Sequence, residues 1–263
     1  MIDLKNKHVV ITGASSGVGE KLAYEVTKNG GIPILIARSL EKLAQIAKTI
    51  ETNYGIQAKY YSLDVVDTYA VKQVFNRIYE EVGNIDILVN NAGYGIFDSV
   101  IDADLNDIRG MLEVNVIGVV ACTKAVLPQM LEKNAGHIIV VASQAGKMAT
   151  PKSGGYAASK HAVLGFTNSL RMELAGTNVR VSAVNPGPIE TAFFDRADKT
   201  GNYVNSVKKY ILSSDEVAQK MVDLMKKPKR ELNLPVYLNW GSTLYNLFPN
   251  LADKFARKLF DKK

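Results

Sequence analysis

The chain has 263 residues, 47% of them apolar and 22% charged, with 20 Gly, 8 Pro and a formal net charge of +6. That apolar content fills a sizeable core and excludes a disordered tail, and one domain is the better expectation at this length. A single cysteine, Cys122, excludes an intrachain disulfide, and three histidines with one thiol leave no cluster at metal-ligand spacing, so a cytoplasmic protein with no metal is expected.

Met1 to Lys7 leads straight into Val9-Val10-Ile11 with no basic region and no long apolar segment, so neither a signal peptide nor a spanning helix is expected. Strand-like runs then appear at His8–Ile11, Ile32–Ile36, Ala58–Leu63, Ile85–Val89, His137–Val141 and Val179–Val184, with a shorter one at Leu234–Leu238. Between them lie helical patterns at Gly17–Lys28, Leu40–Thr52, Ala70–Val82, Leu105–Leu131, Tyr156–Leu174 and Asp215–Met225. The strict alternation predicts an α/β fold. Most strand runs are apolar at consecutive positions, as strands covered on both faces require, so the sheet should be parallel, doubly wound and sandwiched by helices. Gly30-Gly31 suits the left-handed end of the first helix, Ser39 suits the cap of the second, and Pro186-Gly187-Pro188 must break the chain after the sixth strand. Residues 188–214 are too long for an ordinary connection and read as a lid or binding loop.

Thr12-Gly13-Ala14-Ser15-Ser16-Gly17-Val18-Gly19 follows the first strand and opens the first helix. Gly13 permits the tight exit from the strand, while Gly17 and Gly19 let a phosphate approach N–H groups at the positive end of the helix. Glu20 stands where a nucleoside-triphosphate loop needs Lys, which disfavours ATP hydrolysis. Further motifs come in order: Asp64 at the third strand's end, Asn90-Asn91-Ala92-Gly93 after the fourth, Asn115 in a long helix, Ser143 after the fifth, then Tyr156-Ala157-Ala158-Ser159-Lys160, then Pro186-Gly187. With three residues between its first two glycines, this set resembles the short-chain dehydrogenase/reductase family from residue 5 to about residue 240. The resemblance implies a single Rossmann domain with a mostly parallel, seven-stranded sheet. Residues 1–240 would form the nucleotide-binding catalytic body, including the loop 188–214, and 241–263 a basic amphipathic extension of the same domain.

The second strand ends Ala37-Arg38, with no acid to meet an adenosine ribose. A guanidinium there suits a 2′-phosphate, and Ser15 and Ser16 add hydroxyl donors, so NADP(H) is the expected cofactor. By resemblance, Asp64 accepts from the adenine amino group with Val65 beside it, and Val18 belongs to the phosphate turn. Asn91, Ala92 and Gly93 lie along the cofactor, and Ile189 and Thr191 hold the nicotinamide end, while Asn90 ties the fourth strand to neighbouring backbone.

Tyrosine is a poor acid unless its anion is stabilised. Lys160 lies one helical turn from Tyr156, so its ammonium, together with the positive charge of an oxidised nicotinamide, should lower the phenol's pKa and make Tyr156 a proton donor to a nascent alkoxide. Ser143 would hold the substrate oxygen, and the resemblance implies proton replenishment through the cofactor ribose, Lys160 and water near Asn115. The implied activity is hydride transfer between NADP(H) and a carbonyl/alcohol pair. The competing reading is an NADP-binding sensor or scaffold without turnover. A hydrolase needs a Gly-x-Ser-x-Gly elbow or a well-placed histidine, and none of His8, His137 and His161 sits beside such a serine; all three read as structural, and Cys122 reads as a packed small residue.

By analogy the substrate meets Tyr94, Gly95 and Ile96, Gln144 and Met148 near Ser143, and Pro188, Phe193 and Phe194 in the long loop. This mainly apolar set favours a hydrophobic ketone or aldehyde. The helices holding Asn115 and Tyr156 would pair subunits into a homodimer or homotetramer. Residues 226–263 carry nine Lys or Arg against three acids, leaving 23 of each sign in residues 1–225, so the whole net charge belongs to the C-terminal stretch. There Leu244, Leu247, Phe248, Leu251, Phe255 and Leu259 follow helical spacing, with Pro249 as the first residue of a helix running to about Phe260, flanked by Lys254, Arg257 and Lys258. Such a helix packs on its own subunit or a partner, makes peripheral contact with an anionic membrane through 241–263, or meets an acidic protein such as acyl carrier protein. No nucleic-acid module surrounds these residues.

Overall fold

A computed structural model describes residues 2–198 and 201–250. Seven strands form one sheet: β1 (His8–Thr12), β2 (Ile32–Ala37), β3 (Lys59–Ser62), β4 (Ile87–Asn90), β5 (Gly136–Val141), β6 (Val179–Pro186) and β7 (Glu231–Leu234). Their order is β3-β2-β1-β4-β5-β6-β7, and every neighbouring pair is parallel. Consecutive apolar residues in the inner strands serve opposite faces. Val9 and Ile11 of β1 and Leu35 of β2 join a core beneath α1 (Gly17–Lys28), α2 (Leu40–Tyr54) and, further along the chain, Ser214–Lys226. Val10, Ile34 and Ile36 face a second core under α3 (Thr68–Val82) and, beyond β4, the helices spanning Val119–Glu132 and Gly154–Glu173. A strand buried on both sides has no polar face to show, which is why its sequence does not alternate.

The predicted helix at Leu105–Leu131 is α4 (Leu105–Leu112), a widened π-type turn (Glu113–Gly118) and α5 (Val119–Glu132) in direct succession. By length and composition it could cross a membrane, but it carries the buried polar groups Asn115 and Thr123 and packs on α3. Next come α6 (Gly154–Glu173), α7 (Phe193–Ala197), α8 (Asn202–Val207), α9 (Ser214–Lys226) and α10 (Val236–Leu247).

Three expectations need correction. The last strand ends at Leu234, where it pairs with Pro186, and the apolar residues after Pro235 turn into α10, because Pro235 has no N–H to extend the ladder. Ser39 precedes α2 but makes no side-chain cap bond. The stretch 188–214 is no open loop: it holds α7 and α8, and Leu212 N donates to Pro188 O (2.8 Å) while Glu190 N donates to Leu212 O (2.9 Å), closing its base. The helix expected from Pro249 to Phe260, with Leu251, Phe255 and Leu259, falls on 251–263, outside the described residues.

Candidate active site

Sheet order reverses between β1 and β4, where one crossover runs toward β2 and the other toward β5, leaving a crevice at the strands' carboxyl ends. A cavity of about 730 Å³ occupies it, running from Arg38 and Asp64 past the glycine turn to Ser143, Tyr156 and Phe193.

The glycine turn forms its floor. Gly13 has φ +66°, and a Cβ there would lie 2.9 Å from the Ala92 Cα, so only glycine lets the two segments approach. Ser16 is the N-cap of α1, extended and with no side-chain cap bond, so first-turn N–H groups of α1 have no side-chain acceptor beside a cavity lined by Ser15, Ser16, Gly17 and Val18. That is a cradle for a phosphate. Gly19 does not face the cavity: a Cβ there would run into the Gly13 carbonyl, so its smallness serves the packing of α1 on the turn. Asn91 donates from Nδ2 to Thr12 O (2.9 Å) and Gly13 O (3.3 Å), and Thr12 Oγ1 accepts from Asn91 N and Ala92 N (3.0 Å each). Asn91 thus fastens the turn as well as lining the cavity. Asn90 binds the Thr123 hydroxyl (3.1 Å), a side-chain tie to α5, not the expected backbone one.

At the adenosine end Ala37, Arg38, Asp64 and Val65 line the wall, and Arg38 joins none of the ion pairs among the described residues. Lys42, one helical turn after Arg38, adds a second cation there. The spacing of four residues at the start of α2 was the available signal for it.

At the opposite end, Tyr156 and Lys160 project from α6 and Ser143 from the end of β5. Lys160 Nζ donates to Val141 O (2.9 Å) and lies 5.8 Å from the Tyr156 ring centroid. Burial holds the Lys160 amine down to about 8. The same burial pushes the Tyr156 phenol up to about 12, against a lowering by the Ser143 hydroxyl. The expected lowering of the phenol, by the Lys160 ammonium and an oxidised nicotinamide together, concerns the cofactor-bound protein; without cofactor burial sets the phenol high, and one N–H of Lys160 is committed to Val141 O. Ser143 Oγ accepts from Ala145 N (3.0 Å). Asn115 is buried behind the wall, its Oδ1 taking Tyr94 N (3.0 Å) and its Nδ2 reaching Tyr94 O (2.9 Å) and Ser159 Oγ (3.0 Å). Its amide positions the Tyr94 segment and does not reach the cavity.

Tyr94, Met148, Pro186, Gly187, Pro188, Ile189, Thr191, Phe193 and Phe194 all line the cavity, and Gly93 lies beside Lys160. Ile96 and Gly95 do not. Ile96 is buried with Met111 and Tyr156 behind the wall, and Gly95 is pressed between Phe193 and Tyr156. Gln144 lines the cavity, but its amide nitrogen is committed to Asn185 O (2.9 Å) and Asn233 Oδ1 (3.4 Å). Sequence reasoning missed Phe97, Arg196, Tyr203 and Leu238. Phe97 packs edge-on to Tyr156 (5.7 Å), Phe193 (6.3 Å) and Tyr203 (4.9 Å), and Arg196 lies 3.6 Å over the Tyr94 ring. Only the folded course of 188–214, pinned by Phe97 N donating to Ala197 O (2.9 Å), brings these groups together, and no spacing in the sequence signals it.

A parallel sheet with its phosphate cradle at the reversal point, and a Ser, Tyr and Lys set at the far end of one crevice, defines a dinucleotide-dependent oxidoreductase. The sequence profile of the short chain dehydrogenase family matches residues 7–202, and the chain belongs to that family. The NADP-dependent 3-hydroxy acid dehydrogenase of Schizosaccharomyces pombe is 38% identical over 195 residues, covering 73% of this chain and 75% of its own. Among solved structures, an alcohol dehydrogenase of Thermococcus sibiricus with 5-hydroxy-NADP has a TM-score of 0.80 at 30% identity, covering 88% of this chain and 96% of its own. A short chain dehydrogenase/reductase of Burkholderia phymatum with NAD has a TM-score of 0.86 at 26% identity, covering 95% and 96%.

Proposed function

We propose that the protein is an NADP(H)-dependent reductase of a hydrophobic ketone or aldehyde, with Ser143, Tyr156 and Lys160 as catalytic residues and Asn115 as a positioning residue. The observation that carries this reading is a single cavity joining the phosphate cradle of α1 to the buried Tyr156 hydroxyl across an aromatic wall. The turn Ser15–Val18 would hold the pyrophosphate, Arg38 and Lys42 the 2′-phosphate, Asp64 and Val65 the adenine, and Asn91–Gly93 with Pro186–Thr191 the nicotinamide half. When bound, the nicotinamide supplies the hydride. The chain's own part is to orient the carbonyl oxygen with the Ser143 hydroxyl, to give it a proton from Tyr156 and to exclude water with Phe97, Phe193, Phe194 and Tyr203.

With its phenol pushed up to about 12 by burial, Tyr156 keeps its proton at neutral pH in the protein without cofactor. The Thermococcus complex supports NADP, the Burkholderia complex contains NAD, and Ala37-Arg38 tips this chain toward NADP. One observation favours a narrower substrate. Arg196, at the cavity's aromatic end and in none of the ion pairs among the described residues, suits a carbonyl compound bearing an acid group, and the Schizosaccharomyces relative is a 3-hydroxy acid dehydrogenase. We place the protein in the cytoplasm as a homodimer or homotetramer.

The test follows NADPH and NADH consumption by the full chain with aldehydes, ketones, 3-oxo acids and their methyl esters. Turnover with NADPH on apolar carbonyls is the expected result. Tight NADPH binding without turnover across the panel would make the chain a sensor, and preference for the free acids over their esters would establish the narrower reading.

A further inference from the structure

Helix α10 has two unlike faces. One is turned to the protein: Leu238 lines the cavity, Asn239 accepts from Lys147 Nζ (2.8 Å), and Ser242 is 2% exposed. The other presents Val236, Tyr237, Trp240, Leu244, Leu247 and Phe248, between 53% and 70% exposed, at the three- and four-residue steps of one helical stripe. Residues 235–250 contain no charged side chain. The charges stand on either side in sequence: Lys226, Lys227, Lys229 and Arg230 before, and five Lys or Arg against two Asp in 251–263 after.

We infer that the outer face of α10 docks on an anionic membrane surface, with Trp240, Leu244, Leu247 and Phe248 entering the headgroup boundary and the net positive charge of the C-terminal stretch favouring anionic lipid. Three observations select this occupant over a second copy of the chain. Five large apolar side chains on an uncharged helix, with Phe248 directly after it, exceed the scattered exposure normal for a soluble surface. Tyr237 and Trp240 are the ring types that settle at a water–lipid boundary, with an apolar body and a polar edge. The chain's whole net charge of +6 also belongs to residues 226–263, the stretch that contains α10, so by charge anionic lipid complements this stretch and a second copy of it does not. The cavity wall and the docking stripe are thus two sides of one helix, which brings the cavity beside a store of apolar molecules.

Trp240 is the chain's single tryptophan, so its fluorescence reports this face alone. The full chain is titrated with vesicles of phosphatidylcholine containing phosphatidylglycerol, with vesicles of phosphatidylcholine alone, and with brominated phospholipid as quencher. In buffer the emission should be that of a water-exposed indole. Anionic vesicles should shift it to the blue, brominated chains should quench it, and added salt should reverse both changes. The exposed pair Leu244→Asp/Phe248→Asp should cut the bound fraction at least about tenfold, the burial free energy of one such side chain being lost at each position, while circular dichroism and thermal midpoint stay those of the parent. An emission already shielded in buffer and unmoved by vesicles, with light scattering reporting a multimer that the pair dissociates, would assign the face to a second copy and overturn the inference. Equal partition onto neutral vesicles, or equal binding by the substituted chain, overturns it as well.

Discussion

Within the cavity wall, burial moves two neighbouring groups toward the same neutral condition: Tyr156 up to about 12 and Lys160 down to about 8. Both shifts come first from desolvation, since a charge of either sign loses its hydration in the crevice. At neutral pH the phenol is protonated and the amine is still charged. On the proposed roles, carbonyl reduction should be flat through neutrality and fall as pH rises through about 8, where Lys160 sheds its proton. A pH profile of kcat/KM checks this, and a plateau extending well above that value would remove Lys160 from the chemistry. Tyr156→Phe should lower kcat by about 10² to 10⁴, the usual worth of a placed proton donor, with NADPH binding retained. At the adenosine end Arg38→Ala deletes charge-assisted bonds worth about 1.5–3 kcal/mol, so NADPH affinity should drop roughly 10- to 100-fold while NADH affinity holds. Calorimetric titration with both nucleotides reads the difference. Equal losses would show that Arg38 supports the fold and not the 2′-phosphate.

Elements differ in how plainly the chain announces them. β1, β2, β4, β5 and β6 are buried on both faces, and their apolar runs are visible because nothing else explains consecutive Val, Ile and Leu. The glycine turn, Ser143 and the Tyr156/Lys160 pair are also legible, since each depends on local spacing. β7 is an edge strand, Glu-Leu-Asn-Leu, whose mixed polarity hides it, so the apolar residues beginning α10 were read as the strand. The aromatic wall is illegible for another reason: Phe97, Phe193 and Tyr203 meet across separate segments, and only tertiary packing sets their distances. Between β7 and α10 lies a polar tie that sequence gave no hint of. Lys147, in the turn after Ser143, pairs with Glu231 and donates to Asn239 (2.8 Å). Burial opposes the Glu231 anion, yet the Lys147 ammonium overcomes it and holds the carboxyl below its usual range. Lys147→Met would leave that part-buried anion without its cation, at about 1–3 kcal/mol, which lowers the thermal midpoint by several degrees in a chain of this size. Because Asn239 shares a helix with Leu238, KM for the carbonyl should rise more than kcat falls. A variant with the parent's midpoint and KM would show that the tie carries no strain between the turn and α10.

Across the whole molecule, the site sits where the sheet reverses its order, so cofactor affinity and global stability share the same strands. His137 lies deep in this frame, on β5, 3% exposed, with Nε2 against Ser182 Oγ of β6 at 2.8 Å. Burial holds its imidazole down to about 4, reinforced by the charge of Arg180. The unfolded chain takes up this proton near pH 6.5, the ordinary value for histidine, while the folded chain refuses it until about 4. Between those limits the unfolded state binds more protons, so stability falls as pH falls, and the contribution present above about 6.5 is lost by about 4. The gap corresponds to about 3 kcal/mol. Urea denaturation from pH 7 to 5 should therefore show a midpoint that declines before most carboxylates titrate. His137→Gln can still bond Ser182 but cannot charge, so its midpoint, whatever its absolute value, should lose that slope. An unchanged slope would move the acid sensitivity to another group and leave His137 a packing residue alone.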